Sequence, residues 1–426
     1  MSERIQAIRG MRDVLPEESY SWRLLERIFS DCVLSYGYRE VRMPILESTQ
    51  LFKRSIGEIT DIVEKEMYTF TDRNGDSLSL RPEGTAGCVR ACLEHGLLHN
   101  QYQKLWYMGP MFRHEKPQKG RYRQFHQFGA EVFGMADVGT ELEMLAMCQR
   151  LWQHLGLSDL VSLQINTLGQ LSERHLYREI LINYFKQHLD HLDEDSQRRL
   201  DKNPLRILDS KNLEMQPIIE AAPQLIDTLS DTSRQHFHDL CTGLDALGIN
   251  YVINPRLVRG LDYYEHTVFE WVTSQLGSQG TVCAGGRFDK LVEHLGGKAT
   301  PAIGFAMGAE RLLLLMQMTA TEQLQEPTPM FYILTENQQG VLQALALAET
   351  LHQQAPHWVV LVNTSGGSFK SQFKKADKSG ARFALILGEE EVRHQQVSIK
   401  DLRHQQDQQC VAQSDLFETI SRYVGV

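Results

Sequence analysis

The sequence predicts an α+β body followed by a smaller α/β domain, and three stretches carry that reading. Residues 105–113 and 125–133 are two β runs around a long basic loop, the beginning of an antiparallel sheet. Residues 169–223 are charged and helical, an insertion into that body. Beyond Pro329 the β runs alternate with helical ones, which marks a separate α/β domain. A chain of 426 residues has room for two or three domains and a sizeable core.

In chain order, Pro16 opens a helix that carries Trp22, Leu25, Ile28, Phe29 and Val33 at helical spacing, with Gly37 placed to end it. A short strand over 38–44 stops at Pro44; this helix-strand-proline unit packs either a core or a subunit interface. Runs over 67–72 and 77–81 flank Arg73-Asn74-Gly75-Asp76, and Asn-Gly between alternating runs is a strong hairpin signal. The hairpin delivers Glu83 and Thr85 to the start of a helix over 86–94, where Thr85 either caps the helix or faces a ligand. A helix over 140–155 and a strand over 161–166 precede the insertion. Strands over 251–254, 267–273, 281–289 and 302–308 resume the sheet, and a helix starts near Ala309. Residues 317–329 form a linker. The last domain runs strand 331–335, helix 339–353, strand 359–363, helix 368–378 and strand 383–387, with a final helix near 415–423.

The chemistry gathers in a few places. The loop over 114–124 holds Lys116, Lys119, Arg121 and Arg123 beside Arg113. A connector of this length in a compact domain is either functional or disordered, and its cations favour function. Side chains alternate along a strand, so Phe125, Gln127, Gly129 and Glu131 share one face and His126, Phe128 and Ala130 the other. The first face offers an aromatic platform, an amide, a gap and a carboxylate. Arg259 stands beside Gly260, where the backbone can turn sharply, and Tyr263 and Tyr264 follow. Ala284-Gly285-Gly286 lets a ligand or a strand approach the backbone. Arg311 falls in the first turn of a helix, where it opposes the dipole and so points to an anionic ligand. Arg113, Arg259, Arg311 and the basic loop suit a triphosphate held on an antiparallel sheet, in a chain with neither a P-loop nor a GxGxxG fingerprint. Gly366-Gly367-Ser368 is explained more simply by a serine cap than by a phosphate cradle. Lys370, Lys374, Lys375 and Lys378 form either a solvated face or a local nucleic-acid footprint.

Composition sets limits. The formal charge of -10 excludes a nucleic-acid binder held by overall charge and leaves only local basic patches. Seven scattered cysteines, with no CxxC pair, fit a reduced cytoplasmic setting rather than disulfides or zinc. No apolar run of about 18 residues suggests a membrane span, and no apolar signal core suggests export.

Taken together, these motifs resemble those of the class II aminoacyl-tRNA synthetases, and in detail the bacterial histidyl-tRNA synthetase family. MRDVLP, the helix-strand-proline unit (motif 1), LRPEGTAG, FRHEKPQKGRYRQFHQFGAE (motif 2), LVRGLDYY, AGGRFD and GFAMGAER (motif 3) carry the resemblance, which runs from residue 10 into the C-terminal domain. It implies a six-stranded antiparallel sheet flanked by helices in a catalytic domain over 1–325, the helical insertion at 170–223, and a C-terminal α/β anticodon-binding domain over 326–426. It implies histidine–tRNA ligase activity on L-histidine, ATP carrying Mg2+, and tRNA(His), in a homodimer without bound zinc. Arg113 and Arg259 would contact the α-phosphate as the catalytic residues, Arg259 in place of a second magnesium. Arg121 and Arg311 would hold the γ-phosphate end and Phe125 would stack on adenine. The amino group of histidine would meet Glu83, Thr85 and Gln127, and its imidazole Glu131 and Tyr264. Lys116, Gln118 and Arg123 would reach the acceptor end of the tRNA.

Two positions depart from the family pattern: Phe288 stands where a tyrosine is usual, which leaves 288 out of the site, and Ala309 replaces a larger apolar residue. A second reading is a non-catalytic histidine-binding paralogue that regulates a biosynthetic enzyme. Such relatives lack the C-terminal domain and lose motif residues, whereas this chain keeps Glu83, Arg113, Arg259 and Arg311. A synthetase for another class II amino acid does not account for LVRGLDYY together with Glu131.

Overall fold

The alternating runs fold into strands, labelled β1 (Arg39–Glu40), β2 (Leu46–Ser48), β3 (Thr69–Thr71), β4 (Ser77–Leu80), β5 (Gln103–Phe112), β6 (Gln124–Phe133), β7 (Ser162–Thr167), β8 (Tyr251–Ile253), β9 (Glu265–Val272), β10 (Thr281–Arg287) and β11 (Ala302–Gly308) in the first part of the chain. β12 (Phe331–Thr335), β13 (Val360–Val362), β14 (Phe383–Leu387), β15 (Gln396–Asp401) and β16 (Gln409–Ala412) follow. The computed structural model describes residues 4–424 apart from 58–59, 202, 209, 211, 260, 262, 278–279, 320–323 and 405. Its backbone divides into two units, Met1–Gln325 and Glu326–Val426.

The main sheet of the first unit has the order β1-β5-β6-β11-β10-β9-β7-β8. Its six middle strands are antiparallel neighbours. The expected six-stranded antiparallel sheet is extended at both edges by short parallel strands, β1 on β5 and β8 on β7, so the whole sheet is eight-stranded and mixed. The strand expected over 38–44 shrinks to β1, although Val41 still donates its N–H to Trp106 O at 2.9 Å.

Alternation decides what each face of the sheet buries. Trp106, Phe128, Ala130, Phe305 and Met307 pack with Trp22, Leu25, Phe29 and Val33 of the Pro16–Ser35 helix, and with helices Val138–His154, Asp231–Ala246 and Ala309–Thr319. Each such large apolar side chain contributes about 1.5–3 kcal/mol on full burial. On the opposite face, Tyr107, Phe133 and Val268 share a core with Tyr177, Leu181 and Phe185 of the insertion helix Leu171–Lys186. The insertion therefore has no core of its own; it is joined to the sheet through this one.

The expected hairpin forms from β3 and β4, which pair antiparallel with Thr69 opposite Ser79. Gly75 takes φ +93 in its turn, and the Asp72 carboxylate accepts from the N–H groups of Asn74 and Asp76 at 2.8 and 2.9 Å. The second unit is a five-stranded sheet of order β13-β12-β14-β15-β16, parallel across its first three strands and antiparallel beyond. In it Ser368 caps the Phe369–Lys378 helix by accepting from Ser371 N–H.

Candidate active site

A row of small residues hollows out the sheet. Across the strands Tyr107 is opposite Gly129, Gly129 opposite Ala306, Ala306 opposite Ala284, and Ala284 opposite Glu270. Where larger side chains would meet, there is instead a cavity of about 250 Å³. The Tyr107 ring is slotted between two glycines: an added Cβ would lie 2.2 Å from it at Gly84 and 2.3 Å at Gly129. That position brings its hydroxyl to 3.0 Å from Glu131 Oε1.

The cavity wall brings together Glu83, Thr85, Arg113, Arg121, Phe125, Gln127, Arg259, Tyr264 and Arg311 from six separate segments. Thr85, Glu131 and Arg123 are held by contacts the linear pattern does not show. Thr85 neither caps its helix nor stands free, because it is the first residue of the Thr85–Glu94 helix and its hydroxyl donates to Glu131 Oε1 at 2.7 Å. The capping is done by Glu83, whose carboxylate accepts from Thr85 N–H at 2.6 Å and Ala86 N–H at 2.9 Å. Glu131 is fully buried at the floor of this region, against Gly304, whose added Cβ would meet Glu131 Oε2 at 1.5 Å. The loop residues lie off the wall. Lys116 and Gln118 are exposed, while Arg123 folds back, donating to the carbonyls of Glu115 at 3.2 Å and Arg9 at 3.4 Å.

Burial pushes the carboxyls of Glu83 and Glu131 above their ordinary range, against the opposing pull of their hydrogen bonds. Glu131 Oε2 and Gln127 Oε1 are buried acceptors with no hydrogen-bond partner. Among the cations, Arg113 donates to Pro82 O at 2.9 Å and lies 5.4 Å over the Phe125 ring; burial lowers its pKa. Arg311 donates to Gly120 O at 3.2 Å and Thr281 O at 2.5 Å. Burial, with the Arg121 and Arg113 charges nearby, pushes Arg311 down to about 10. Burial works against Arg259 too, but its ion pair with Glu270 holds its pKa above the ordinary value. Gly260, beside it, lies outside the described residues.

Sequence reasoning missed the carboxylates that face these arginines. Glu270 pairs with Arg259 and accepts from Thr281 Oγ1 at 2.8 Å, and Glu115 pairs with Arg121. Glu310 accepts from His126 N–H at 3.0 Å and so ties the motif 3 helix to β6. For Glu270 a signal was present: a glutamate between Phe269 and Trp271 in a strand must point away from the core those two enter. Phe288 is buried edge-on to Tyr263 and Phe133 and does not line the cavity. Ala309 is fully buried beneath the sheet, a packing position.

Residues 10–312 match the family model described as histidyl-tRNA synthetase, and residues 331–423 match that of an anticodon binding domain. The chain belongs to the histidyl-tRNA synthetase family. Histidine–tRNA ligase of Legionella pneumophila subsp. pneumophila strain Philadelphia 1 is 60% identical over 423 residues, covering 99% of each chain. The crystal structure of the apo histidyl-tRNA synthetase of S. aureus superposes with TM-score 0.80 at 34% identity, over 98% of this chain and 99% of that one. The histidyl-tRNA synthetase of Nostoc sp. PCC 7120 shares the fold with TM-score 0.71 at 19% identity, over 99% of this chain and 100% of its own. Likeness to ligases along the whole length, anticodon-binding unit included, favours the catalytic synthetase over the regulatory paralogue.

Proposed function

We propose that the cavity joins L-histidine to ATP and then passes the histidyl group to tRNA(His), the reaction of a histidine–tRNA ligase. One observation carries the placement: Arg113, Arg121, Arg259 and Arg311 converge on one hollow that also holds the buried Glu83 carboxyl. Burial is the main reason Arg311 loses basicity, the nearby Arg121 and Arg113 charges add to it, and a triphosphate relieves that repulsion.

Arg113 and Arg259 hold the α-phosphate, Arg121 and Arg311 the γ end, and Phe125 takes the adenine; Mg2+ enters as part of the ATP substrate. Arg259 must exchange Glu270 for phosphate, so Glu270 acts as its resting partner. Glu83, Thr85 and Gln127 receive the amino group. Glu131 and Tyr264 take the imidazole at the deep end, where the unpartnered Glu131 Oε2 awaits an N–H donor. A site that hydrogen-bonds its ligand in this way rejects analogues lacking those groups by ~10⁴ to 10⁵.

The histidine carboxylate attacks the α-phosphorus in line. A new O–P bond forms, the bond to the bridging oxygen breaks, and pyrophosphate leaves. The terminal ribose hydroxyl of the tRNA then attacks the histidyl carbonyl carbon and expels AMP. Positioning and fixed positive charge are the main catalytic devices. Lys116, Gln118 and Arg123 are assigned to the acceptor end, and affinity for tRNA is expected to fall with salt. A cytoplasmic homodimer is part of the same proposal; exposed Ile45, Leu46 and Phe70, at β2 and β3, support a covered face there. Among the described residues no helix is long and apolar enough to cross a membrane.

ATP–pyrophosphate exchange across a panel of amino acids tests the proposal. Histidine alone is expected to respond. Histidine binding without exchange would identify the regulatory paralogue, and exchange driven by another amino acid would reassign the substrate.

A further inference from the structure

A second hollow, of about 270 Å³, opens where the insertion meets the main body. Arg174 and Arg178 of the Leu171–Lys186 helix line it together with Arg206 and Arg259, and His175 and Asn203 add polar groups. Among the described residues no carboxylate stands in its wall. Arg259 lines this hollow and the first cavity alike, so one guanidinium is common to both.

Two details point to a ligand. The Nε atoms of Arg178 and Arg259 are buried and have no hydrogen-bond partner. A buried guanidinium N–H left unpaired is costly unless something polar reaches it. Two backbone carbonyls help to position the wall: Arg174 donates to Tyr264 O at 2.6 Å, and Arg178 donates to Asp201 O. Glu270, the carboxylate paired with Arg259 among the described residues, stands in the wall of the first cavity.

We propose that this hollow is a second phosphate-binding site, separate from the ATP cavity and joined to it through Arg259. Guanidinium groups arranged around a small hollow match the several oxygens of a phosphate group. Two sources share that chemistry: the pyrophosphate released from ATP, and a phosphodiester near the 3′ end of the tRNA. Either meets Arg259 on both sides, so an anion passes between the hollows without losing contact with that residue. Only the choice of source rests on the ATP reading of the first cavity; the anion site does not.

The test uses the full chain and two variants, Arg178→Gln and Arg206→Gln, on different segments of the wall, with thermal unfolding as the check on folding. Titration calorimetry with inorganic pyrophosphate and with the trinucleotide CCA reads binding directly. KM for pyrophosphate in exchange and KM for tRNA in aminoacylation read it during turnover. Loss of one charge-assisted hydrogen bond is expected to weaken the relevant anion about tenfold or more in each folded variant, with KM for ATP unchanged. A shift confined to pyrophosphate assigns the leaving group as occupant, and one confined to CCA and tRNA assigns the phosphodiester. Unchanged binding of both probes in a folded variant overturns the proposal. If the wild type shows no histidine-dependent exchange, the ATP reading fails, and the calorimetry still decides whether the anion site exists.

Discussion

Replacing Thr85 by valine keeps the shape of the side chain and removes one hydroxyl. That hydroxyl donates to Glu131 Oε1 at 2.7 Å, and among the described residues Tyr107 OH at 3.0 Å is the other donor to that carboxyl. Glu131 is fully buried, and burial raises its pKa in the folded state. The sign follows: with the folded pKa above the unfolded one, the native state keeps the proton longer, and stability is lost as pH rises from the ordinary carboxylate value through the folded one. The Thr85 bond opposes that loss by favouring the carboxylate. Thr85→Val is therefore expected to destabilise the first unit by about 1.5–3 kcal/mol at a pH above the folded pKa of Glu131, where the bond is charge-assisted, and by about 0.5–1.5 kcal/mol at about pH 4.5, where it is neutral. Urea unfolding followed by tryptophan fluorescence measures it, since four of the five tryptophans, Trp22, Trp106, Trp152 and Trp271, lie in that unit. Thr85→Ser should recover most of the difference. Equal losses at the two pH values, or no rescue by serine, would refute the claim that Thr85 stabilises a buried carboxylate.

Other expectations are simpler to state. Gly304→Ala puts a methyl group 1.5 Å from Glu131 Oε2 and 2.8 Å from Ala130 O, so it should abolish the response to histidine or prevent folding. Gly308→Ala, whose nearest neighbour is Arg311 Cδ at 3.7 Å, should be tolerated; soluble yield and exchange activity compare the two. Arg259→His should eliminate adenylate formation in a folded protein, and near-normal pyrophosphate exchange would take Arg259 out of the mechanism. Lys116→Ala and Gln118→Ala should raise KM for tRNA while leaving exchange intact. Arg123→Ala should in addition open the loop to trypsin, because Arg123 holds it to Arg9 and Glu115; normal aminoacylation at limiting tRNA in all three would remove the loop from the acceptor end.

Periodicity by itself was enough for most of the element order, though not for the Leu46–Ser48 strand or the Thr49–Ile56 helix, and for the hairpin at Gly75 and the division of β6 into two faces. These depend on neighbours one to four positions apart, and a linear pattern records that distance. It also placed Arg113, Phe125 and Gln127 near one another, since all three belong to one strand pair. Residue chemistry grouped Arg259 and Arg311 with Arg113 as a triphosphate set, and motif resemblance then gave each residue its expected ligand. Only the tertiary structure decided the partners. The Arg259–Glu270 pair, Tyr107 wedged between Gly84 and Gly129, and Thr85 bound to Glu131 all depend on which strands lie side by side, and register is a long-range property. The depth of Glu131 was likewise hidden. Alternation tells which face a carboxylate takes, whereas its burial depends on the small residues that adjoining strands bring beside it.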